Sequence, residues 1–396
     1  MRAKAMQQKG LDVLAFGAGE PDFDTPPHII DRAVEALRAG ATRYGPSAGL
    51  PASREAIARK LARENGLPGV TADTVVVTAG AKTAYFLVLH ALLDPPAAGE
   101  PPMEALLPVP AWVSYAPIIE LAGGRVVELP TTAAGGFKIT RDQLRDAIGP
   151  RTRALVLNTP SNPCGSMYTR DELIALADVI AERADAVAPD LVIVTDEIYE
   201  KIAYRAEHIS IGSLAQVAER TISINGLSKA YAMTGWRVGY AAGVGPFGRA
   251  MAEALARLQV QMNTCMAGFI EATLPVALEN SAERVEQMRQ AFQRRAKLTC
   301  DLLEQIDGIT VRRPDGAIYA FPDISSAIGR TSPGGRPIAS AMDLAEALLE
   351  EELVAMVPGD EFGGVGPKHL RISFACSEEQ IEAGMARLAR FMTALR

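Results

Sequence analysis

The chain has 396 residues, enough for about two domains, and its 40 basic and 47 acidic residues leave a net charge of −7 with no basic stripe of the kind a duplex binder carries. The longest apolar stretch, residues 84–93, includes His90 and is too short to span a bilayer, and Asp12 interrupts the apolar run near the start, so neither a membrane span nor a signal peptide is expected. Four histidines (His28, His90, His208, His369) and four cysteines (Cys164, Cys265, Cys300, Cys376) lie far apart, which argues against a zinc site or a disulfide scaffold and for a reducing cytoplasm.

Val75-Val76-Val77-Thr78 predicts a short buried strand, followed by a helix over 82–93. The tract 94–102, rich in Pro, Ala and Gly, reads as a surface loop. Strands are predicted at 105–109, 125–129 and 154–157, and a loop after the last leads to a helix over 170–183. Three more strands follow at 191–195, 221–224 and 237–241. Continuous apolar strands alternating with helices predict an α/β fold: a mostly parallel seven-stranded sheet covered by helices. In such sheets ligands sit beyond the strand carboxyl ends. Near residue 276 the texture changes. Asn280-Ser281-Ala282-Glu283 resembles a capping box with Asn in place of Ser or Thr. It opens a long amphipathic helix in which Val285, Met288, Phe292, Ala296 and Thr299 share a face that Leu302 and Ile306 continue. Short strands, the turn Ser332-Pro333-Gly334-Gly335 and a last helix near 378–395 complete a smaller α+β domain.

With so little histidine, proton chemistry falls to lysine, carboxylates or a borrowed cofactor. The window 225–240 lies between two predicted strands and holds Lys229. A lone loop lysine is ordinarily solvated. Here Arg237 follows, with Gly235 and Gly239 permitting close backbone approach. A buried lysine can lose its proton and act as nucleophile or base, and an arginine offers phosphate a planar fork. Together they point to an aldehyde cofactor with a phosphate tail, pyridoxal 5′-phosphate. Asp196 closes the strand 191–195, so its carboxylate emerges at the ligand edge, where it can also cap the residues after it. Thr78-Ala79-Gly80-Ala81-Lys82-Thr83 joins a strand to a helix, and helix starts present free N–H groups to anions. Gly80 and Ala81 are therefore the phosphate-cradle candidates, against an ordinary β–α turn. Gly243-Val244-Gly245-Pro246-Phe247-Gly248 spells GxGxxG, but no acidic residue follows at dinucleotide spacing and Pro246 lacks an N–H. A dinucleotide site is not expected there.

The run Ser228-Lys229 through Met233-Thr234-Gly235-Trp236-Arg237-Val238-Gly239-Tyr240 resembles the cofactor-lysine segment of class I/II aminotransferases, of the pyridoxal-phosphate fold-type I superfamily. The similarity extends from Gly17 to Ser377 and is closest to the bacterial aspartate aminotransferase subgroup. It implies a large cofactor-binding domain over 27–275 and a small domain made of 1–26 and 276–396. Lys229 is then the catalytic lysine that carries the cofactor, and Asp196 pairs with its pyridine nitrogen. Tyr199, in Asp-Glu-Ile-Tyr, hydrogen-bonds its phenolic oxygen. Asn162, in Asn-Pro-Cys-Gly, reaches the same oxygen and the substrate carboxylate. Trp112 stacks on the ring, Ser228 and Arg237 hold the phosphate, and Tyr44 reaches the phosphate of a neighbouring subunit in a homodimer. Arg371 clamps the substrate α-carboxylate, Gly19 contacts the substrate through its backbone, and Lys82 binds the distal carboxylate of an acidic substrate. Asn162–Pro163 and Val109–Pro110 are cis in similar proteins.

The implied activity is transfer of an amino group from an L-amino acid, aspartate or glutamate first, to a 2-oxo acid. Aromatic or broad-specificity aminotransferases, lyases, decarboxylases and synthases share the fold and remain alternatives. A ligand-sensing regulator on this fold would carry a fused DNA-binding module, and no basic module of that kind fits before Gly17. The sequence departs from the pattern at Gly226, where Ser or Thr often binds phosphate, and at Cys164, where Thr is usual. It also begins later than similar proteins, so either the arm that helps cover the entrance is absent or the start site is misassigned.

Overall fold

A computed structural model describes residues 2–396. After a short β1 (Leu14–Ala15), the main sheet is built from β2 (Val75–Thr78), β3 (Glu104–Val109), β4 (Arg125–Pro130), β5 (Thr152–Asn158), β6 (Val192–Asp196), β7 (Thr221–Gly226) and β8 (Gly239–Ala242). Their order across the sheet is β2-β8-β7-β6-β5-β3-β4. Adjacent strands from β4 through β7 pair in parallel, whereas β8 runs antiparallel to both β7 and β2.

Strands β2, β6, β7 and β8 are buried at every position because helices cover both faces, whereas the edge strand β4 is mostly exposed or half-buried. Successive side chains point to opposite faces. Leu155, Leu157 and Ile193 enter one cluster with Leu173, Leu176 and Ile180 of the helix Arg170–Ala186. Ala154, Val156, Val192 and Val194 enter another with Leu87, Val88 and Leu92 of the helix Ala81–Leu92. Burying each such large aliphatic side chain contributes about 1.5–3 kcal/mol. Thr169 and Glu172 form a full capping box that starts the helix Arg170–Ala186.

The remaining strands are β9 (Tyr319–Ala320), β10 (Val354–Ala355), β11 (Val357–Pro358) and β12 (Leu370–Ser373). β11, β12 and β9 make a small antiparallel sheet, and β10 pairs in parallel with β1. Phe292, Leu344, Leu388 and Phe16 share the core beside them. Among the described residues, no helix is long and apolar enough to cross a membrane.

Several expectations shift. The strand expected from 237 begins at Gly239, because Arg237 adopts a left-handed φ of 57° that breaks extended geometry. The long helix is Ala282–Leu303, so Ile306 joins its core from the following turn. Its N-cap is Ser281, not Asn280, and no side-chain cap forms; the Ser281 hydroxyl is instead 2.9 Å from His28 Nε2. Val109–Pro110 and Asn162–Pro163 are cis, and so is Thr159–Pro160, which the sequence reading did not anticipate. The GxGxxG segment leaves β8 at the sheet edge opposite the other carboxyl ends, because β8 is reversed. Its glycines serve packing: a Cβ on Gly243 would lie 2.8 Å from Gly248 Cα.

Candidate active site

Strand direction gathers the polar residues. The registers pair Asn158 with Asp196, Gly226 with Gly239 and Thr78 with Gly239, so the ends of β5, β6, β7 and β2 meet along one edge. Beyond that edge lies a cavity of about 500 Å³, within the range of small-molecule sites. Gly19, Ala81, Lys82, Trp112, Asn162, Asp196, Tyr199, Ser228, Lys229, Arg237 and Arg371 all line it. Gly80 lies just behind, under Arg237. A larger hollow of about 970 Å³ between Arg63, Tyr204, His208 and Arg289 holds none of the expected residues.

Lys229 stands in the loop after β7. Buried Leu227, Ala230 and Met233 anchor that loop, and Met233 N donates to Ser228 O at 3.2 Å. The Lys229 ammonium donates to Gly19 O. Burial pushes its pKa down to about 8; Glu20 and Asp196 pull it up, and Arg237 and Arg371 push it further down. Asp196 is buried, and burial raises its carboxyl to about 6 although the Tyr115 hydroxyl and the Ile198 N–H both donate to it. Those bonds are 2.7 and 3.1 Å, and the second makes a turn rather than a helix cap.

At the other end of the cavity, Gly80 takes a φ of 90° that favours glycine, immediately before the helix Ala81–Leu92. A Cβ there would lie 2.8 Å from Arg237 Cζ, and a Cβ on Gly239 would lie 2.5 Å from Gly80 C. The two glycines therefore let the guanidinium sit against the helix start, whose first N–H groups have no intrahelical acceptor. Gly226 has a local cause as well: a Cβ would lie 2.7 Å from Val238 O.

Arg371 stands on β12, all four residues of which are buried. Its Nη1 donates to Asn162 Oδ1 at 3.1 Å and its Nη2 to Gly17 O at 2.9 Å, while its buried Nε has no partner. Trp112 packs edge-on against Tyr115, and the Lys82 ammonium lies 4.7 Å from the Trp112 ring centre. Among the described residues, no carboxylate lies within ion-pair distance of Lys82. Tyr44 is 87% exposed and does not line the cavity.

Sequence reading missed Tyr115, Asn158 and Tyr319, which also line the cavity. Asn158 carried the same signal as Asp196, a polar residue ending an apolar strand. Tyr319 was hidden in the apolar run 317–321. Glu197, Glu200 and His208 converge behind Asp196, with possible ligand atoms within 4.8 Å of one another. Those carboxylates already have partners: Lys60 pairs with Glu200, and Ser210 and Asn65 donate to Glu197.

The model of the family Aminotransferase class I and II matches residues 12–388. The chain is 43% identical to an aspartate aminotransferase of Geobacillus stearothermophilus, over 99% of this chain and 94% of that one. Among solved structures, an aspartate aminotransferase from Rhizobium meliloti superposes with a TM-score of 0.92 at 36% identity, covering 100% of this chain and 95% of that one. An aspartate aminotransferase of Thermus thermophilus, solved with maleate, gives 0.88 at 40% identity, covering 98% and 94%.

Proposed function

The chain belongs to the class I and II aminotransferases, and from that premise we propose that it moves the amino group of a dicarboxylic L-amino acid, aspartate or glutamate, to a 2-oxo acid, with pyridoxal 5′-phosphate on Lys229. The observation that carries this reading is the convergence of Lys229, Asp196, Arg237 and Arg371 on one cavity. The residues fit the cofactor. The glycine-floored cradle of Gly80, Ala81 and Arg237, with Ser228, suits a phosphate. The buried carboxyl of Asp196 suits a protonated ring nitrogen, Trp112 suits a ring face, and Tyr199 and Asn162 suit a phenolic oxygen. When bound, the cofactor supplies an aldehyde and an electron-withdrawing ring that accepts the electron pair left when the substrate α-proton departs.

The chain's own groups do the rest. Arg371, held by Asn162 and Gly17, orients the α-carboxylate, and its unpartnered Nε leaves a donor for it. Lys229 Nζ, neutral once its lowered pKa is passed, takes the α-proton. Lys82 stands beside Trp112 without an acidic partner, which suits a distal carboxylate. Maleate, the dicarboxylate bound by the Thermus thermophilus relative, supports the same class.

Residues 27–275 form the cofactor-carrying part. Residues 1–26 and 276–396 form the smaller part that supplies Gly19 and Arg371, supported by the pairing of β1 with β10. The working unit is a homodimer in which Tyr44 serves the neighbouring site, a role that suits its exposure. Four free cysteines suit a reducing cytoplasm. The test is direct: aspartate and 2-oxoglutarate should yield oxaloacetate, and Lys229→Ala should abolish both turnover and the visible absorbance of bound cofactor. Absorbance changes without product would overturn the reading.

A further inference from the structure

Tyr319 joins three parts of the candidate site. It is 1% exposed, on β9, opposite Ser373 of β12. Its hydroxyl lies 2.8 Å from the Tyr199 hydroxyl. Its ring centre lies 4.6 Å from Arg371 Cζ, a cation–π distance. A Cβ on Gly19 would lie 2.6 Å from the Tyr319 hydroxyl, so only glycine at position 19 leaves room for it. Gly19 in turn accepts from Lys229.

Each phenol has one proton and can accept as well as donate. In a pair of hydroxyls, whichever donates leaves the other's proton free. The Arg371 charge over the Tyr319 ring stabilises electron density on that phenol and so favours Tyr319 as donor. We propose that Tyr319 is a positioning residue: its hydroxyl donates to Tyr199, which directs the single Tyr199 proton into the cavity, while its ring seats the Arg371 guanidinium. The inference rests on the reading that Tyr199 donates to the cofactor's phenolic oxygen. It makes the small sheet responsible for the protonation geometry of a group on the large one.

The test is a pH titration of the visible absorbance of the holoenzyme. A donor to an anionic oxygen lowers the pKa at which that oxygen takes up a proton. Tyr319→Phe should therefore raise the absorbance pKa by about one unit and lower kcat about ten-fold. KM for the amino donor should stay within about two-fold, because the Phe ring still seats Arg371. Tyr319→Leu should raise KM as well. Tyr199→Phe should shift the pKa further, and adding Tyr319→Phe to it should change nothing more, since Tyr319 acts through Tyr199. An unshifted pKa in Tyr319→Phe, or a shift that persists in the Tyr199→Phe background, overturns the inference and leaves the functional reading standing. A wild-type protein without a pH-dependent cofactor band overturns the reading itself, and the inference with it.

Discussion

At the scale of single residues, the site works by placing a few ionisable groups where water cannot stabilise their usual charge. Lys229 is the clearest case, because burial lowers its pKa from 10.5 to about 8. The neutral amine is the nucleophile that captures an aldehyde. Its fraction rises about ten-fold between pH 7 and pH 9 for a pKa of 8 and then levels, but about a hundred-fold without levelling for an ordinary lysine. Stopped-flow absorbance of the apoprotein mixed with pyridoxal 5′-phosphate should follow the first curve. The second would mean that Lys229 is solvated. The same lowered pKa makes stability of the apoprotein rise with pH between about 8 and 10.5, because over that window the unfolded chain binds the proton that the folded chain has released. Lys82 is the opposite case, an exposed cation over an indole with no acid to neutralise it. Lys82→Ala should cut kcat/KM for aspartate by roughly ten- to a hundred-fold, the loss of one charge-assisted hydrogen bond, while alanine or phenylalanine as donor changes little. Equal losses for acidic and neutral donors would remove Lys82 from the specificity reading.

Elements explain why these residues were legible to different degrees. Lys229 and Arg237 stood out because glycines bracket them, and Asp196 because it ends an apolar strand. The fully buried strands were legible because burial on both faces leaves short apolar runs, such as Val75–Val77 and Val192–Val194. Direction was not, since side-chain periodicity is the same in either sense; hence the reversed β8 had no signature. Pairing of β1 with β10 joins two-residue strands from opposite ends of the chain, too short to carry a pattern. The polar–apolar alternation of 369–374 is the pattern of a half-exposed strand, yet Arg371 is buried, and Asn162 and Gly17 satisfy two of its nitrogens and make that burial tolerable. The cradle shows how closely β8 and the helix Ala81–Leu92 must approach. A methyl on Gly239 would meet Gly80 backbone at 2.5 Å, and backbone cannot yield as a flexible side chain does. Gly239→Ala should therefore weaken cofactor binding at least ten-fold by equilibrium dialysis and destabilise the fold by about 1–3 kcal/mol. Unchanged affinity would show that the strand–helix junction does not form the phosphate cradle.

For the molecule as a whole, the open question is whether one chain completes its own site. Tyr44 is the most exposed large hydrophobic side chain among the described residues, and Val113, Val260 and Met262 are also exposed. Val113 and Met262 line one apolar hollow with Lys82. Such an arrangement suits a surface that a second copy covers. In a two-fold dimer every contact occurs twice, so Tyr44 of each subunit would serve the site whose lysine belongs to the other. Complementation reads this directly. Lys229→Ala and Tyr44→Ala are each purified with low activity, then mixed in equal amounts and allowed to exchange subunits. Half of the dimers become hybrids. In a hybrid, one site combines both defects and the other combines an intact Lys229 with an intact Tyr44. One wild-type site in two, in half of the dimers, restores about a quarter of wild-type activity. If each chain supplied its own Tyr44, no exchange could create an intact site, and the mixture would show only the mean of the two variants. Recovery to about a quarter, with the absorbance of bound cofactor unchanged by mixing, therefore separates a shared site from a private one.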